Sequence, residues 1–231
     1  MIGAGRAGAH DVEALVLAAG QGERLGLGPK ALLTLAGRTL IDRAVGAVRA
    51  VARRVIAGVP PERLDECRAL LGADVTVVAG GATRLDTEIL LVEASSAPLL
   101  VLHDVVHPFA TAELARQVVA AARERGAAMA AVPATSHVYR MDRATLGRVR
   151  QGDGLWSSRK PLVFSRSAFA RGLAARGRLP HDAGVVELLL AAGEPVEIVP
   201  AEPWNIKVTT MADWALARAI APLLERGLLR S

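Results

Sequence analysis

Only three of the 28 basic residues are lysines, and each lies in a stretch that could handle phosphate. They are Lys30 in Gly28-Pro29-Lys30, Lys160 in Lys160-Pro161-Leu162, and Lys207 in Asn205-Ile206-Lys207-Val208-Thr209. In a chain that otherwise uses arginine, a retained lysine marks a place where a compact ammonium serves and a planar guanidinium does not. Lys30 closes the run Ala18-Ala19-Gly20-Gln21-Gly22-Glu23-Arg24-Leu25-Gly26-Leu27-Gly28-Pro29-Lys30. Glycines let backbone N–H groups approach phosphates closely. Arg24 and Lys30, six residues apart, add two cations to the same loop. A triphosphate suits that pattern, because its charge must be offset before a nucleophile can approach. The run is not a Walker A loop, since no Gly-Lys-Ser/Thr follows, and Leu25 stands in the third glycine place of a dinucleotide fingerprint.

A second signal is His103-Asp104-Val105-Val106-His107-Pro108-Phe109, which follows the apolar run Leu99–Leu102. Ligands of open α/β sheets bind at the carboxyl ends of strands. Asp104 is therefore placed to hold a hard cation such as Mg²⁺, which would clamp phosphate oxygens. An aspartate after a strand also serves as a plain helix cap. The third signal, Asn205–Thr210, precedes the last helical pattern, with Asp213 as an early helical acid.

The elements that must position these residues alternate. Strands are expected at 13–19, 54–59, 74–78, 99–103, 128–132 and 196–199. Helices are expected from a Thr39 cap to about Ala52, then at 61–71, 85–95, 112–125, 166–175, 182–192 and 211–224. This alternation predicts an α/β fold, a Rossmann-like three-layer sheet with right-handed crossovers. The pattern breaks from Ala134 to about Ser158, where neither period holds; a hairpin arm and a mobile loop both fit. The length of 231 residues suits one domain, and residues 1–11 read as a disordered leader. The single cysteine, Cys67, excludes an internal disulfide and fits a reducing cytoplasm. No apolar run reaches membrane-spanning length, so no membrane partner is expected. The net charge of +5 is carried by arginines scattered on helical stretches among Ala and Leu. That distribution fits solvated helix surfaces or a small anionic ligand better than nucleic acid.

Four blocks in order carry a resemblance. They are Leu17-Ala18-Ala19-Gly20-x-Gly22-x-Arg24 with Pro29-Lys30; Gly80-Gly81-x-x-Arg84-x-Asp86-Thr87; His103-Asp104-x-x-x-Pro108; and Asn205-Ile206-Lys207-Val208-Thr209. Together they resemble the methylerythritol-phosphate cytidylyltransferase family from about residue 12 to 224. The resemblance implies a nucleotidyltransferase sheet, CTP in the glycine-rich turn, a divalent cation such as Mg²⁺, and a homodimer whose protruding arm, residues 134–158, reaches the partner's site. It implies Arg24, Lys30 and Lys207 as catalytic cations and Asp104 as the metal-side acid. Ala18, Ala19, Gly20, Gly22, Gly81, Ala82 and Thr87 would hold the nucleotide. Departures gather on the acceptor half: His107 stands where the family has arginine, Thr135-Ser136-His137 stand in place of the arm's arginine, aspartate, threonine run, Gly152 replaces an arginine, Lys160-Pro161-Leu162 replaces Thr-Pro-Gln, and Trp204 replaces the acid before Asn-Ile-Lys. His107, His137 and Lys160 are the expected acceptor-binding residues. The acceptor is expected to be 2-C-methyl-D-erythritol 4-phosphate or another small phosphate or phosphonate. A non-catalytic nucleotide-binding relative and a nicotinamide oxidoreductase are the alternatives. The second lacks an acid at the end of its second strand, which runs into Gly58-Val59-Pro60-Pro61.

Overall fold

The computed structural model describes residues 10–135, 138–142, 145–150, 154–179 and 183–229. His137, Gly152 and residues 1–9 of the expected leader lie outside them. From β1 (Val12–Leu17) the chain runs through the glycine loop to a small hairpin, β2 (Thr34–Leu35) and β3 (Arg38–Thr39), and into α1 (Leu40–Val48). Next come β4 (Arg54–Val59), α2 (Leu64–Leu71), β5 (Val75–Ala79), α3 (Arg84–Ala94), β6 (Leu99–Asp104), α4 (Ala112–Arg125) and β7 (Ala127–Pro133). The pair β8 (Val138–Asp142) and β9 (Thr145–Arg150) leads to the long β10 (Trp156–Ser165). Then follow α5 (Arg166–Ala174), α6 (Val185–Ala191), β11 (Glu197–Pro200) and α7 (Met211–Glu225).

Seven strands form one sheet in the order β11-β7-β10-β6-β1-β4-β5. Alternating side chains on its strands build two apolar cores. Val12, Ala14 and Val16 of β1 point to one face, where they meet α1, α4 and α7. Leu15 points to the other, where α3, α5 and α6 supply Leu91, Phe169 and Leu188. The period of two along each strand, read through helices of period 3.6, is what makes the three layers. Each fully buried Leu or Val contributes roughly 1.5–3 kcal/mol, which is how a core with few aromatics holds.

The six strands expected from the sequence all join this sheet, and β10, which was not expected, is the seventh. β10 lies between β6 and β7 and is antiparallel to both, so the sheet is mixed. Its pairing with β7 is irregular between Ser158 and Leu162, where a bulge holds Arg159, Lys160 and Pro161. Of the two readings of residues 134–158, the hairpin is the one formed: Val138–Asp142 pairs antiparallel with Thr145–Arg150 as a separate two-stranded sheet. β1 sits beside β4 on one side and β6 on the other, both parallel to it. The crevice outside the carboxyl ends of β1 and β6 is therefore a point where strand order reverses. Among the described residues no helix is long and apolar enough to cross a membrane.

Candidate active site

The glycine loop leaves β1 at that crevice. Leu25 is 2 % exposed and pins the middle of the loop into the core, while Arg24 beside it stays in solvent. Gly22 has φ +75°, and a Cβ there would lie 2.3 Å from the Gly28 carbonyl oxygen. Only glycine lets the two limbs of the loop close on each other. A backbone bond from Lys30 N to Gly20 O, 3.3 Å, completes the closure.

The second wall comes from the β5–α3 turn. A Cβ at Gly80 would sit 2.4 Å from the Cβ of Ala19, so the two glycine-rich segments meet backbone to side chain. Gly81 N donates to Thr87 Oγ1 at 3.0 Å, and Thr87 Oγ1 donates to Thr83 O at 3.1 Å. Thr83 caps α3 with a reciprocal capping box to Asp86. This satisfies two of the orphan N–H groups at the start of the helix.

The third wall is the segment before α7. Asp213 Oδ2 accepts from Thr209 N and Thr210 N, at 2.9 and 2.7 Å, which fixes the turn beside Lys207. Lys30 Nζ reaches across and donates to Val208 O at 3.2 Å. Lys207 is exposed and Lys30 buried. Burial, and then the like charges of Arg24 and Lys207, push the Lys30 ammonium below its ordinary pKa.

These walls enclose a cavity of about 410 Å³, within the usual range for a small-molecule site. Arg24, Lys30 and Lys207 all line it, with Ala19, Gly20, Gly22, Gly81, Ala82, Thr87 and Asp104. Ala18 is fully buried one residue below the surface, its N–H donated to Gly58 O. Lys160 and His107 do not line the cavity; they are 7 % and 3 % exposed and lie behind Asp104.

Asp104 is the meeting point of a buried charge cluster. Arg84 Nη2 lies 3.2 Å from Asp104 Oδ2, and Arg84 Nε lies 3.0 Å from Glu88 Oε1. Burial alone would raise the Asp104 carboxyl; the charges of Lys160 and Arg84 outweigh it and hold the group well below the usual carboxylate range. Glu88 is raised by burial, with Arg84 and Lys160 pulling the other way. Lys160 is lowered, chiefly by burial. Burial likewise depresses His103 to about 4 and His107 to about 3. Both imidazoles are therefore neutral at pH 7, and their ring nitrogens have no hydrogen-bond partner among the described residues.

Arg84 and Glu88 were not among the site residues expected from the sequence. A signal existed. Arg84 occupies the first turn of α3, where the helix dipole disfavours a cation. A cation there implies anions nearby.

A resident metal site does not fit these residues. Asp104 is occupied by Arg84 and backed by Lys160, and no group of three or more His, Cys, Asp or Glu among the described residues could hold an ion.

The 2-C-methyl-D-erythritol 4-phosphate cytidylyltransferase (IspD) family model matches residues 12–222. The chain belongs to this family. It is 34 % identical over 220 residues to the enzyme of that name from Deinococcus radiodurans, covering 94 % of this chain and 92 % of the relative. It is 37 % identical over 229 residues to the one from Rhodococcus jostii, covering 95 % and 98 %. The crystal structure of the cytidylyltransferase from Thermus thermophilus superimposes with a TM-score of 0.78 at 31 % identity, over 92 % of this chain and 99 % of that one. The match to IspD enzymes thus extends over all three walls of the cavity and over β10 with its bulge.

Proposed function

We propose that this chain transfers CMP from CTP to 2-C-methyl-D-erythritol 4-phosphate and releases pyrophosphate. The observation that carries the reading is the convergence of Arg24, Lys30 and Lys207 on one cavity walled by glycine and alanine. Three cations crowd a site in which burial first, and then the like charges of Arg24 and Lys207, already disfavour the Lys30 ammonium. A triphosphate relieves that repulsion. Ala19, Gly81, Ala82 and Thr87 line the same cavity and form the small-residue wall assigned to the cytosine.

A phosphate oxygen of the acceptor attacks the α-phosphorus of CTP in line. A new P–O bond forms, the bond from the α-phosphorus to the bridging oxygen breaks, and pyrophosphate leaves with that electron pair. No protein nucleophile is required; positioning and charge neutralisation do the work. Arg24 and Lys30 offset charge on the triphosphate and leaving group. Lys207, on the opposite wall, reaches the α-phosphate. Magnesium would enter as part of the CTP complex, since Asp104 is committed to Arg84. The hairpin β8–β9 serves as a dimerisation arm that completes a partner's acceptor pocket.

The test is pyrophosphate release from MgCTP with 2-C-methyl-D-erythritol 4-phosphate, run beside a panel of small phosphates and phosphonates. Turnover with the first is expected. Release with another acceptor alone would keep the transfer chemistry and replace the substrate; release with none would sink both.

A further inference from the structure

We propose that Lys160 is a positioning residue: its side chain, turned inward by the β10 bulge, holds the Asp104 carboxylate in place opposite Arg84 at the rim of the cavity. The inference deepens the proposed function and rests on it for the acceptor, though not for the coupling of the two charges.

The register places the two residues together. Leu162 of β10 stands opposite Leu102 of β6 in antiparallel pairing. The ladder ends at Leu162, where the bulge begins, so Lys160 enters beside the end of β6 that carries Asp104; both residues are buried, 7 % and 5 % exposed. Opposite charges on adjacent strands attract. The bulge explains how an ammonium comes to lie there, since bulges re-aim side chains beside active sites. The strand is anchored at this point by Asn205 Nδ2, which donates to Lys160 O at 2.9 Å; Asn205 is itself 1 % exposed. That bond also ties the bulge to the segment carrying Lys207.

Lys160 adds a second cation to a cluster in which one guanidinium faces two acidic side chains. Arg84 faces two buried carboxylates, Glu88 and Asp104, which are 1 % and 7 % exposed. One guanidinium cannot neutralise both, and an unbalanced buried charge is costly. His103 and His107 flank Asp104 without supplying charge, being held neutral. Lys207 lies on the far wall of the cavity. Lys160 supplies the missing positive charge from below, leaving Asp104 ionised and Arg84 shared between its two partners. An ionised, immobile Asp104 can then accept hydrogen bonds from the hydroxyl groups of a polyol phosphate.

The decisive variant is Lys160→Met, which keeps the side-chain length and removes the charge. With MgCTP and 2-C-methyl-D-erythritol 4-phosphate, the acceptor KM is expected to rise about 10- to 100-fold, the span of one hydrogen bond to a charged group. The Kd for CTP by calorimetry is expected to stay unchanged, which also shows that the variant is folded. An equal rise in acceptor KM and CTP Kd, or no rise in either, would overturn the proposal. A second measurement needs no substrate. In urea unfolding, Lys160→Met and Asp104→Asn together are expected to cost less than the sum of the two alone. Additive losses would refute the Lys160–Asp104 coupling even if turnover is normal. Absent turnover in the unaltered chain would refute the proposed substrate and leave the coupling to be decided by urea.

Discussion

At the scale of single residues, the two cavity lysines divide one task differently. Lys30 is buried and bonded to Val208 O, whereas Lys207 is exposed. Replacing either by alanine is expected to lower turnover roughly 10²-fold or more, the loss typical of a preorganised charge in a transition state. The thermal midpoints should separate them. Lys30→Ala also gives up a buried hydrogen bond worth about 1 kcal/mol and should melt earlier, while Lys207→Ala should melt like the unaltered chain. Equal midpoints would mean that the Lys30–Val208 bond does not hold in solution. Lys→Arg at either position is expected to impair turnover too, because a fork does not replace a point charge.

The buried histidines make a pH prediction with a definite sign. His103 and His107 titrate near 4 and 3 in the folded chain and near 6.5 once unfolded. Unfolding therefore takes up protons below about pH 6.5. The stability they contribute is whole above that pH and is lost as pH falls toward 4, by up to about 1.4 kcal/mol per pH unit for each. Glu88, raised by burial, works the other way above its ordinary 4.5. Urea midpoints at pH 7 and pH 5 are expected to differ, with pH 5 lower, and to differ less in His107→Asn. Identical midpoints would mean that water reaches both rings.

At the scale of elements, the glycine turn and the α3 cap make the site a backbone construction. Gly22→Ala would drive a Cβ into the Gly28 carbonyl and require a residue other than glycine at φ +75°. CTP affinity measured by calorimetry is expected to fall at least tenfold, because Arg24 and Lys30 would lose their spacing. Affinity equal to the unaltered chain would show that the loop opens and re-forms freely. Much of this level was legible. Residues 54–59 and 112–125 begin and end as the apolar patterns say, and Thr39 caps α1 as its place before the pattern implies. The hairpin Thr34–Leu35/Arg38–Thr39 was not, since two residues per strand leave no period to read. β10 was missed altogether, for a physical reason. Trp156, Ser157 and Ser158 are exposed, a bulge follows, and the apolar run that enters the core is only Leu162–Phe164, too short to show a period. The same blindness hid the charge cluster. Arg84 and Glu88, four positions apart, read as a surface helix pair, because charged groups are buried only when paired; Lys160 was expected at the acceptor, and only the fold puts it in the cluster behind Asp104.

At the scale of the whole molecule, three separate walls are brought to one cavity by the order of strands, and the hairpin β8–β9 is left as a sheet of its own. A two-stranded hairpin is marginal alone in water, which argues that it is covered in use. Replacing residues 136–153 by a short glycine linker is expected to turn a dimer into a monomer in analytical ultracentrifugation and to abolish turnover, while CTP still binds. A linker variant that remains dimeric and active would take the arm out of both roles.

The bond from Lys30 to Val208 joins residues 178 positions apart. Its consequence lies in the order of synthesis. A nascent chain that has already emerged through β6 holds the glycine turn and Asp104 but no Lys207 and no acceptor for Lys30. Until the last strand and helix leave the ribosome, the growing polypeptide carries half a triphosphate site, with its cations facing each other across open water. Competence for the nucleotide should arrive in one step, when the segment of Lys207 and Val208 joins the glycine turn and acts as the catch that arms the site.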